Sequence, residues 1–400
     1  LSGPPRRIAV PYPLAQGSDA ATSVIVNWLT SPSTDGMEAL AMEVLSELLL
    51  GHDGAFLAKA LRDSDLGEDL SPQCGLDTGF RQMVFSAGLR GVELGREGEI
   101  EDLVVDTVAD IASRGFPSEA LDAAMHSILF ANREIRRGAG AYGLRLFNRA
   151  IRGWLHGSAP ESTLSFEAAA KALGARLADD HRYLESLAET YLIGNDHRST
   201  VTVYPDPGLL ERMRDESGSA LAREAQALSP EARDAIRDAA TRLAAAQEKP
   251  DGPEAIDTLP RLSIRDLPRT VERIERETGT IAALPSTIHP IFTNGIVYLD
   301  LAFPLDGAPP EVLAWLPLLS RFVSGAGLPG RPYYEISELL ARRAGGFSAS
   351  LDSATPIGGR KARSFAVFRL KTLAENFGAA LELALALISG ADYGDAARAG

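Results

Sequence analysis

The segment ATSVIVNWLT (Ala21–Thr30) is rich in β-branched and aromatic side chains and lies between segments that contain proline or glycine. Such a composition predicts a β-strand. The residues that follow predict a helix, because Thr34 or Asp35 can cap its N-terminus and Gly51 can end it. The apolar residues of this helix recur at the spacing of one helix face, and they are Leu40, Val44, Leu45, Leu48 and Leu49.

The same order of elements occurs twice in the chain. After the first helix the pattern predicts a short helix, a strand and a further helix, at Ala55–Leu61, Gln82–Arg90 and Glu97–Ser113. From Ile296 onward it predicts strand GIVYLDLAF, helices Glu311–Phe322 and Tyr333–Arg343, strands FSASLD and RSFAVFRL, and helix Ala374–Ile388. This repeated order predicts an α+β fold with two homologous units, each a mainly antiparallel sheet with helices packed on one face.

A helical hairpin is predicted between the two units. Ser229, with Pro230 at the first helical position, is a good helix start, and the two hairpin helices meet near Leu228. The first unit reaches the hairpin through helices at 118–134, 142–155 and 166–192, strand STVTVY and a helix after Pro207. The second unit ends sooner, so we expect it to be incomplete. The expected parts are therefore an α+β unit at 1–215, a hairpin linker at 216–250 and an incomplete α+β unit at 251–400.

The composition disfavours several classes of function. The formal net charge of −14 disfavours nucleic acid as a partner, since phosphate binding requires clustered positive charge. No apolar run is long enough for a membrane span, so we expect no membrane partner. The single cysteine, Cys74, excludes an internal disulfide and a cysteine-based metal site. Any metal would need histidine and carboxylate ligands.

Motifs for cofactor binding or catalysis lack their usual context. Two G-x-G-x-x-G matches, beginning at Gly138 and Gly325, follow helical patterns, whereas a dinucleotide-binding loop must follow a strand. We interpret both as connections between helices. The glycine pair Gly345–Gly346 is interpreted as the C-cap of the helix before it. The sequence contains no G-x-S-x-G motif, and a Ser/His/Asp triad assembled from distant positions is left open.

The six histidines form neither an H-E-x-x-H nor an H-x-x-E-H motif, which would place two imidazoles on one helix face. We interpret His126 as a packed helix residue, because it lies in the apolar segment AAMHSILF. We interpret His197 as a turn residue between a helix end and a strand. No catalytic, cofactor-binding or metal-ligating residue is therefore assigned in this chain.

Several longer strings resemble one family. They are GFRQMVFSAGLRGVE, WLHGSAPESTLSFEAAAKAL, YLIGNDHRSTVTVYPDPGLLERMRDES, ALSPEARDAI, LPRLSIRDLPR, HPIFTNGIVYLDLAF and RRAGGFSASL. In this order, from about Ala21 to Ile388, they resemble the presequence-protease and falcilysin branch of the insulinase-type (pitrilysin) zinc metallopeptidases. The resemblance implies an enzyme of four α+β domains in two halves, joined by a helical hairpin and enclosing a chamber for unfolded peptides.

In that family Zn²⁺ is bound by H-x-x-E-H and a downstream glutamate in the first domain. This chain is similar to the second domain, the hairpin and the opening part of the third, so the resemblance implies zinc ligands outside it and no metal within it. We expect oligopeptide substrates, the remaining domains of the same polypeptide as partners, and a cytoplasmic location. The acidic charge suggests a preference for basic peptides. The alternative is a natural inactive homologue that acts as a peptide-binding or assembly subunit.

Overall fold

The computed structural model describes residues 4–14, 21–135, 141–164, 166–270, 273–356 and 358–394. Within these ranges the chain forms two compact units. The larger unit comprises residues 4–12, 21–205 and 293–394, and the smaller unit comprises residues 13–14 and 206–292. In the ranges described, no helix is both long and apolar enough to cross a membrane.

A six-stranded sheet forms the first α+β part of the larger unit. Its strands are β1 (Arg6–Pro13), β2 (Thr22–Pro32), β3 (Asp69–Leu70), β4 (Gly75–Asp77), β5 (Gln82–Val92) and β6 (Arg198–Asp206). The strand order is β1-β6-β2-β5-β3, and β4 also pairs with β5. The predicted strand at Ala21–Thr30 is confirmed as β2, which pairs antiparallel with β5 and β6 in the centre of the sheet.

The sequence does not predict β1, because its residues RRIAVPYP include two prolines, which are uncommon inside strands. An edge strand tolerates proline, since one side of it needs no hydrogen-bond partner. The side chain of Arg7 ties β1 to the body of the unit through Glu101, at 3.0 Å from Nε to Oε2. Glu101 is buried and also pairs with Arg198 of β6, at 3.1 Å.

Seven helices belong to this part. They are α1 (Gly36–Leu50), α2 (Phe56–Arg62), α3 (Glu97–Arg114), α4 (Ser118–Arg133), α5 (Tyr142–Trp154), α6 (Phe166–Asp179) and α7 (Tyr183–Ala188), which a π-helical turn extends to Ile193. Asp35 caps α1, as predicted, by accepting a hydrogen bond from the backbone N–H of Glu38 at 3.0 Å. The single helix predicted over 166–192 is wrong, because the chain turns where Oδ1 of Asp180 accepts from the N–H of Arg182 at 3.1 Å.

The core of this part lies between the sheet and its helices. Alternate residues of β2 enter it, and Val24, Val26 and Trp28 are at most 1% exposed. The Trp28 ring packs against the Phe85 ring of β5, with centroids 6.0 Å apart. Leu45 of α1 belongs to the same apolar cluster. Burial of apolar surface on one face of each element is therefore what holds sheet and helices together.

The smaller unit contains three helices and a strand pair. They are α8 (Leu209–Ala227), α9 (Pro230–Glu248), α10 (Pro253–Asp257), β7 (Glu277–Ile281) and β8 (Leu284–Ile288). The predicted start of α9 is confirmed, since Oγ of Ser229 accepts from the N–H of Ala232 at 3.2 Å. The β7–β8 hairpin is not predicted, because its turn places Ala282 and Ala283 at positive φ, where Asn and Gly are usual.

The second α+β part of the larger unit has a three-stranded antiparallel sheet and three helices. They are β9 (Ile296–Pro304), α11 (Pro310–Phe322), α12 (Tyr333–Arg343), β10 (Gly346–Ala354), β11 (Arg363–Leu373) and α13 (Phe377–Gly390). The sheet order is β10-β11-β9. Phe368 of β11, Ile336 of α12 and Leu387 of α13 meet in its core. Both α+β parts thus follow the predicted plan.

Helix α4 of the first α+β part packs against α12 of the second. The ring of Phe130, which is 2% exposed, forms a cluster with Ile296 and Leu373 at the ends of β9 and β11. A Cβ atom at Gly345 would lie 2.1 Å from this ring. The interpretation of Gly345 as a helix cap is therefore wrong: Ala344 occupies the cap position, and glycine is required by the close approach of the ring.

Polar contacts surround the Phe130 cluster. Glu134, which is 3% exposed, accepts a hydrogen bond from Nζ of Lys371 at 2.9 Å. Nδ2 of Asn294 donates to the carbonyl of Arg133 at 3.1 Å. A buried carboxylate is stable only when it is paired, so Lys371 fixes the second sheet beside the end of α4.

His126 also lies between α4 and α12. Its Nδ1 is 2.9 Å from the carbonyl oxygen of Ala341, so the proton is on Nδ1 and the imidazole is neutral. Within the described residues, its buried Nε2 has no hydrogen-bond partner. Burial lowers the pKa of His126, although the Ala341 carbonyl and the charge of Glu375 favour the imidazolium. The interpretation of His126 as a packed helix residue is confirmed.

We expect Phe130→Ala to separate the two α+β parts more easily. The substitution leaves a cavity beside Gly345 and should lower the free energy of unfolding by about 3–5 kcal/mol. Denaturant unfolding measures this loss, and hydrogen exchange in β9 and β11 should increase with it. Phe80→Ala is the matched control, since that side chain is 56% exposed. Equal stability of the two variants would contradict the role given to Phe130.

His126 should make the contact of α4 with α12 sensitive to acid. Because its pKa is lower in the folded state, the unfolded chain takes up the proton first as the pH falls below about 6.5. The stabilisation that His126 provides is therefore complete above that pH and is lost below it. His126→Asn can keep the bond to Ala341 without titrating, so the stability difference between wild type and variant should shrink from neutral to mildly acidic pH. A difference that is constant with pH would contradict this expectation.

Candidate functional site

The structure places the six histidines of the chain far apart along the fold. His52 follows α1, His126 lies in α4, His156 follows α5, and His181 and His197 flank α7 and its π-helical extension. His289 follows β8 in the smaller unit. In the described ranges, no three His, Cys, Asp or Glu side chains come together in a way that could hold a metal ion. These residues do not fit a zinc site.

Cys74 does not have the surroundings of a reactive thiol. Its Sγ is 3.2 Å from the backbone N–H of Gly88, which donates to it. Burial raises the pKa of the Cys74 thiol, partly offset by hydrogen bonds from Gly88 and Ser71. The thiolate that nucleophilic catalysis requires is therefore disfavoured.

The second G-x-G-x-x-G match is a connection between helices, as interpreted. Gly325 ends the turn after α11, and Gly327 forms an isolated β-bridge with Asp392. Gly330 has a φ of 76° in a tight turn, which favours glycine. Of the first match, Gly138 and Gly140 lie outside the described residues, and Gly143 lies in the first turn of α5. His197, interpreted as a turn residue, donates its backbone N–H to Oδ1 of Asn195 at 2.9 Å.

Two carboxylates on α1 lie in surroundings that favour their protonated form. Burial raises the pKa of Glu43, while the charges of Arg152 and Arg149 oppose the shift. Burial also raises the pKa of Glu47, with an opposing hydrogen bond from Ser127. Glu47 lines a cavity of about 90 Å³ that is too small for a peptide substrate. We therefore assign these carboxylates to packing between helices.

The larger unit also has a groove with a volume of about 820 Å³, which is large enough for several peptide side chains. Its wall is mostly aromatic and aliphatic, and includes Trp315, Leu318, Phe322, Tyr333 and Tyr393. Trp315, Leu318 and Phe322 are presented together because they recur at helical spacing on α11. That spacing in WLPLLSRF was the signal in the sequence, but it equally predicts a buried helix face.

The chemistry of the groove is that of a binding surface. Its ionisable side chains are Asp53, Arg321, Arg331 and Asp392, together with the phenols of Tyr333 and Tyr393. The lining contains no histidine, cysteine or lysine, and its one serine, Ser324, lacks a neighbouring histidine to activate it. Such a groove can hold apolar side chains of a ligand but offers no nucleophile.

Solved structures of related proteins resemble the fold only loosely. The peptidase M16 inactive domain from Pseudomonas fluorescens is 16% identical, with a TM-score of 0.35, over 52% of this chain and 45% of that one. The periplasmic protease PqqL from Escherichia coli is 12% identical, with a TM-score of 0.33, over 96% of this chain and 40% of that one.

Sequence relatives are closer. Presequence protease 1, chloroplastic/mitochondrial, from Arabidopsis thaliana is 30% identical over 353 residues, which are 87% of this chain and 33% of that protein. Protein HypA from Clostridium perfringens is 26% identical over 371 residues, 92% of this chain and 38% of that protein. The chain thus spans little more than a third of the length of these relatives.

Two family models match successive parts of the chain. The model described as Peptidase M16 inactive domain matches residues 7–128, which run from β1 into α4. The model for the region associated with subfamily C of the M16 peptidases matches residues 203–399, which include α8 to α10 and the second α+β part. The chain therefore belongs to the M16 peptidase family, in its subfamily C, and carries the inactive domain of that family.

Proposed function

We propose that this chain is the non-catalytic portion of a zinc metalloendopeptidase that degrades unfolded oligopeptides inside a closed chamber. In this proposal the chain forms part of the chamber wall and the hinge. The observation that carries the proposal is the order of the two family matches, an inactive domain followed by the region associated with subfamily C. The identity to a presequence protease along most of the chain supports the peptidase assignment.

The zinc ligands of the proposed enzyme lie outside these 400 residues. The described part of the chain offers no group of side chains suited to a metal, and its groove is apolar. What this chain contributes is therefore surface and mechanics. We further propose the division into a wall domain at 1–215, a hairpin linker at 216–250 and an incomplete third-domain-like unit at 251–400.

The proposal makes a direct prediction about metal and activity. This chain, purified alone, should hold no stoichiometric zinc and cleave no peptide, because a catalytic zinc needs three protein ligands and an open position. A longer product of the same reading frame that carries H-x-x-E-H should bind one zinc and cleave peptides in a chelator-sensitive way. Elemental analysis and cleavage of a quenched fluorescent peptide measure both.

Two outcomes would overturn the proposal. Tightly bound zinc with peptidase activity in the 400-residue chain would place the catalytic site within it. A reading frame without H-x-x-E-H, in a protein that still binds peptides, would instead support the alternative, an inactive homologue that acts as a peptide-binding or assembly subunit.

The hinge role predicts a specific effect of proline in α9. Ala240→Pro removes a backbone donor and clashes with the preceding turn, at a local cost of about 3 kcal/mol. In the longer enzyme we expect lower turnover with intact domains, since closure around a substrate commonly limits such enzymes. Arg237→Gln is the control, because its exposed ion pair with Asp234 contributes little. Full activity of the proline variant toward long and short peptides would show that the hairpin is a passive tether.

A further inference from the structure

Helix α5 turns its apolar stripe toward solvent. Leu144, Phe147 and Trp154 are 57%, 50% and 55% exposed, and Leu155, directly after the helix, is 69% exposed. Their spacing places all four on one face. Gly153, on the opposite side of the helix, is buried. A helix on the surface of a domain normally has the reverse orientation, with its apolar stripe on the core.

Positive charge flanks this stripe. Helix α5 carries Arg145, Arg149 and Arg152, and the sequence contains no Asp or Glu between Glu134 and Glu161. This stretch contrasts with the net charge of −14 for the whole chain. Its surface therefore differs in sign from the average surface of the protein.

The electrostatics of Arg149 show that the local potential is positive. Burial lowers the pKa of the Arg149 guanidinium, and Glu43 of α1 opposes this shift. Repulsion from Arg145 and Arg152 lowers that pKa further. Glu43 thus compensates the inner side of the helix, whereas Arg145 and Arg152 are exposed beside the apolar stripe.

A second segment extends the apolar surface at the end of α5. Nε2 of His156 is 3.1 Å from the carbonyl oxygen of Gly79. This contact brings the loop that contains Phe80, itself 56% exposed, beside the end of the helix. The exposed surface therefore joins two aromatic rings and two leucines near Trp154, rather than single apolar residues scattered over the domain.

We propose that this face of α5 is a docking surface for a peptide segment whose apolar side chains are flanked by carboxylates. The apolar stripe requires apolar partners, and the exposed arginines require anionic ones, which together describe an acidic amphipathic peptide. A uniform polyanion fits less well, because the net negative charge of the chain repels it. The inference rests on the proposed function, since the segment would belong to an oligopeptide substrate.

The surface reverses a hypothesis based on net charge. The value of −14 suggested a preference for basic peptides through long-range attraction. At α5, short-range contacts with arginines oppose that preference. The two effects differ in range, so they predict different peptides for binding at this surface.

The test uses the 400-residue chain and three fluorescent peptides of equal length, with alternating Leu and Glu, Leu and Lys, or Ser and Glu. Fluorescence anisotropy should show binding of the Leu/Glu peptide and at least about tenfold weaker binding of the other two. The double variant Leu144→Ser/Phe147→Ser should lose about tenfold in affinity, since two apolar contacts disappear. Arg145→Gln should weaken binding by a few fold and reduce its dependence on salt.

Leu94→Ser is the matched control, because that leucine is 63% exposed on another loop, and it should bind like wild type. Equal binding of the Leu/Lys peptide, or unchanged affinity of the double variant, would overturn the inference. So would tighter binding of single-stranded RNA or of anionic phosphatidylserine vesicles at the same residues. Circular dichroism of each variant excludes loss of the fold as the cause.

The outcome separates this inference from the proposed function. A longer product that cleaves peptides, together with a 400-residue chain that fails to bind the Leu/Glu peptide, would leave the peptidase assignment intact and remove α5 as a docking surface. Binding at α5 without peptidase activity of the longer product would do the reverse and favour a peptide-binding subunit.

Discussion

The contact of the Phe130 ring with Gly345 is the constraint on which the larger unit depends. The first α+β part has an extensive core of its own between β2, β5 and α1, whereas the second part has only small apolar clusters. The second part therefore gains much of its order from the first. Because the ring meets backbone at Gly345, with no side chain between them, α4 and the strand β10 are held at one separation.

Most regular elements could be predicted from the sequence, because their signals are local. The strand β2, the cap of α1 at Asp35 and the start of α9 at Ser229 each depend on residues close together in the chain. The contacts that join the two α+β parts are different in kind. Phe130 and Gly345 are distant in sequence, so the glycine could only be interpreted through its neighbours, as a helix cap. Strand β1 and the turn at Ala282–Ala283 were missed for the opposite reason, since their local composition is unfavourable.

The candidate site was accessible to sequence reasoning only in part. The lack of a zinc motif could be read directly, and the described residues agree in not fitting such a site. An apolar stripe such as that of α5 or α11 predicts a helix face but not whether that face is buried. Orientation depends on what the rest of the fold leaves open. For Trp154 and Trp315 the structure, with side chains more than half exposed, turns expected core residues into surfaces for a ligand.

Strand β1 has a consequence for how the protein behaves during purification. It occupies the edge of the six-stranded sheet beside β6, where it satisfies backbone groups that would otherwise face solvent. Its anchor is a side-chain pair, Arg7 with the buried Glu101, and not a large apolar contact. Proteolytic removal of β1 would uncover β6 as a template for strand addition. Material trimmed in this way would then aggregate through intermolecular β-pairing while its helices stay folded.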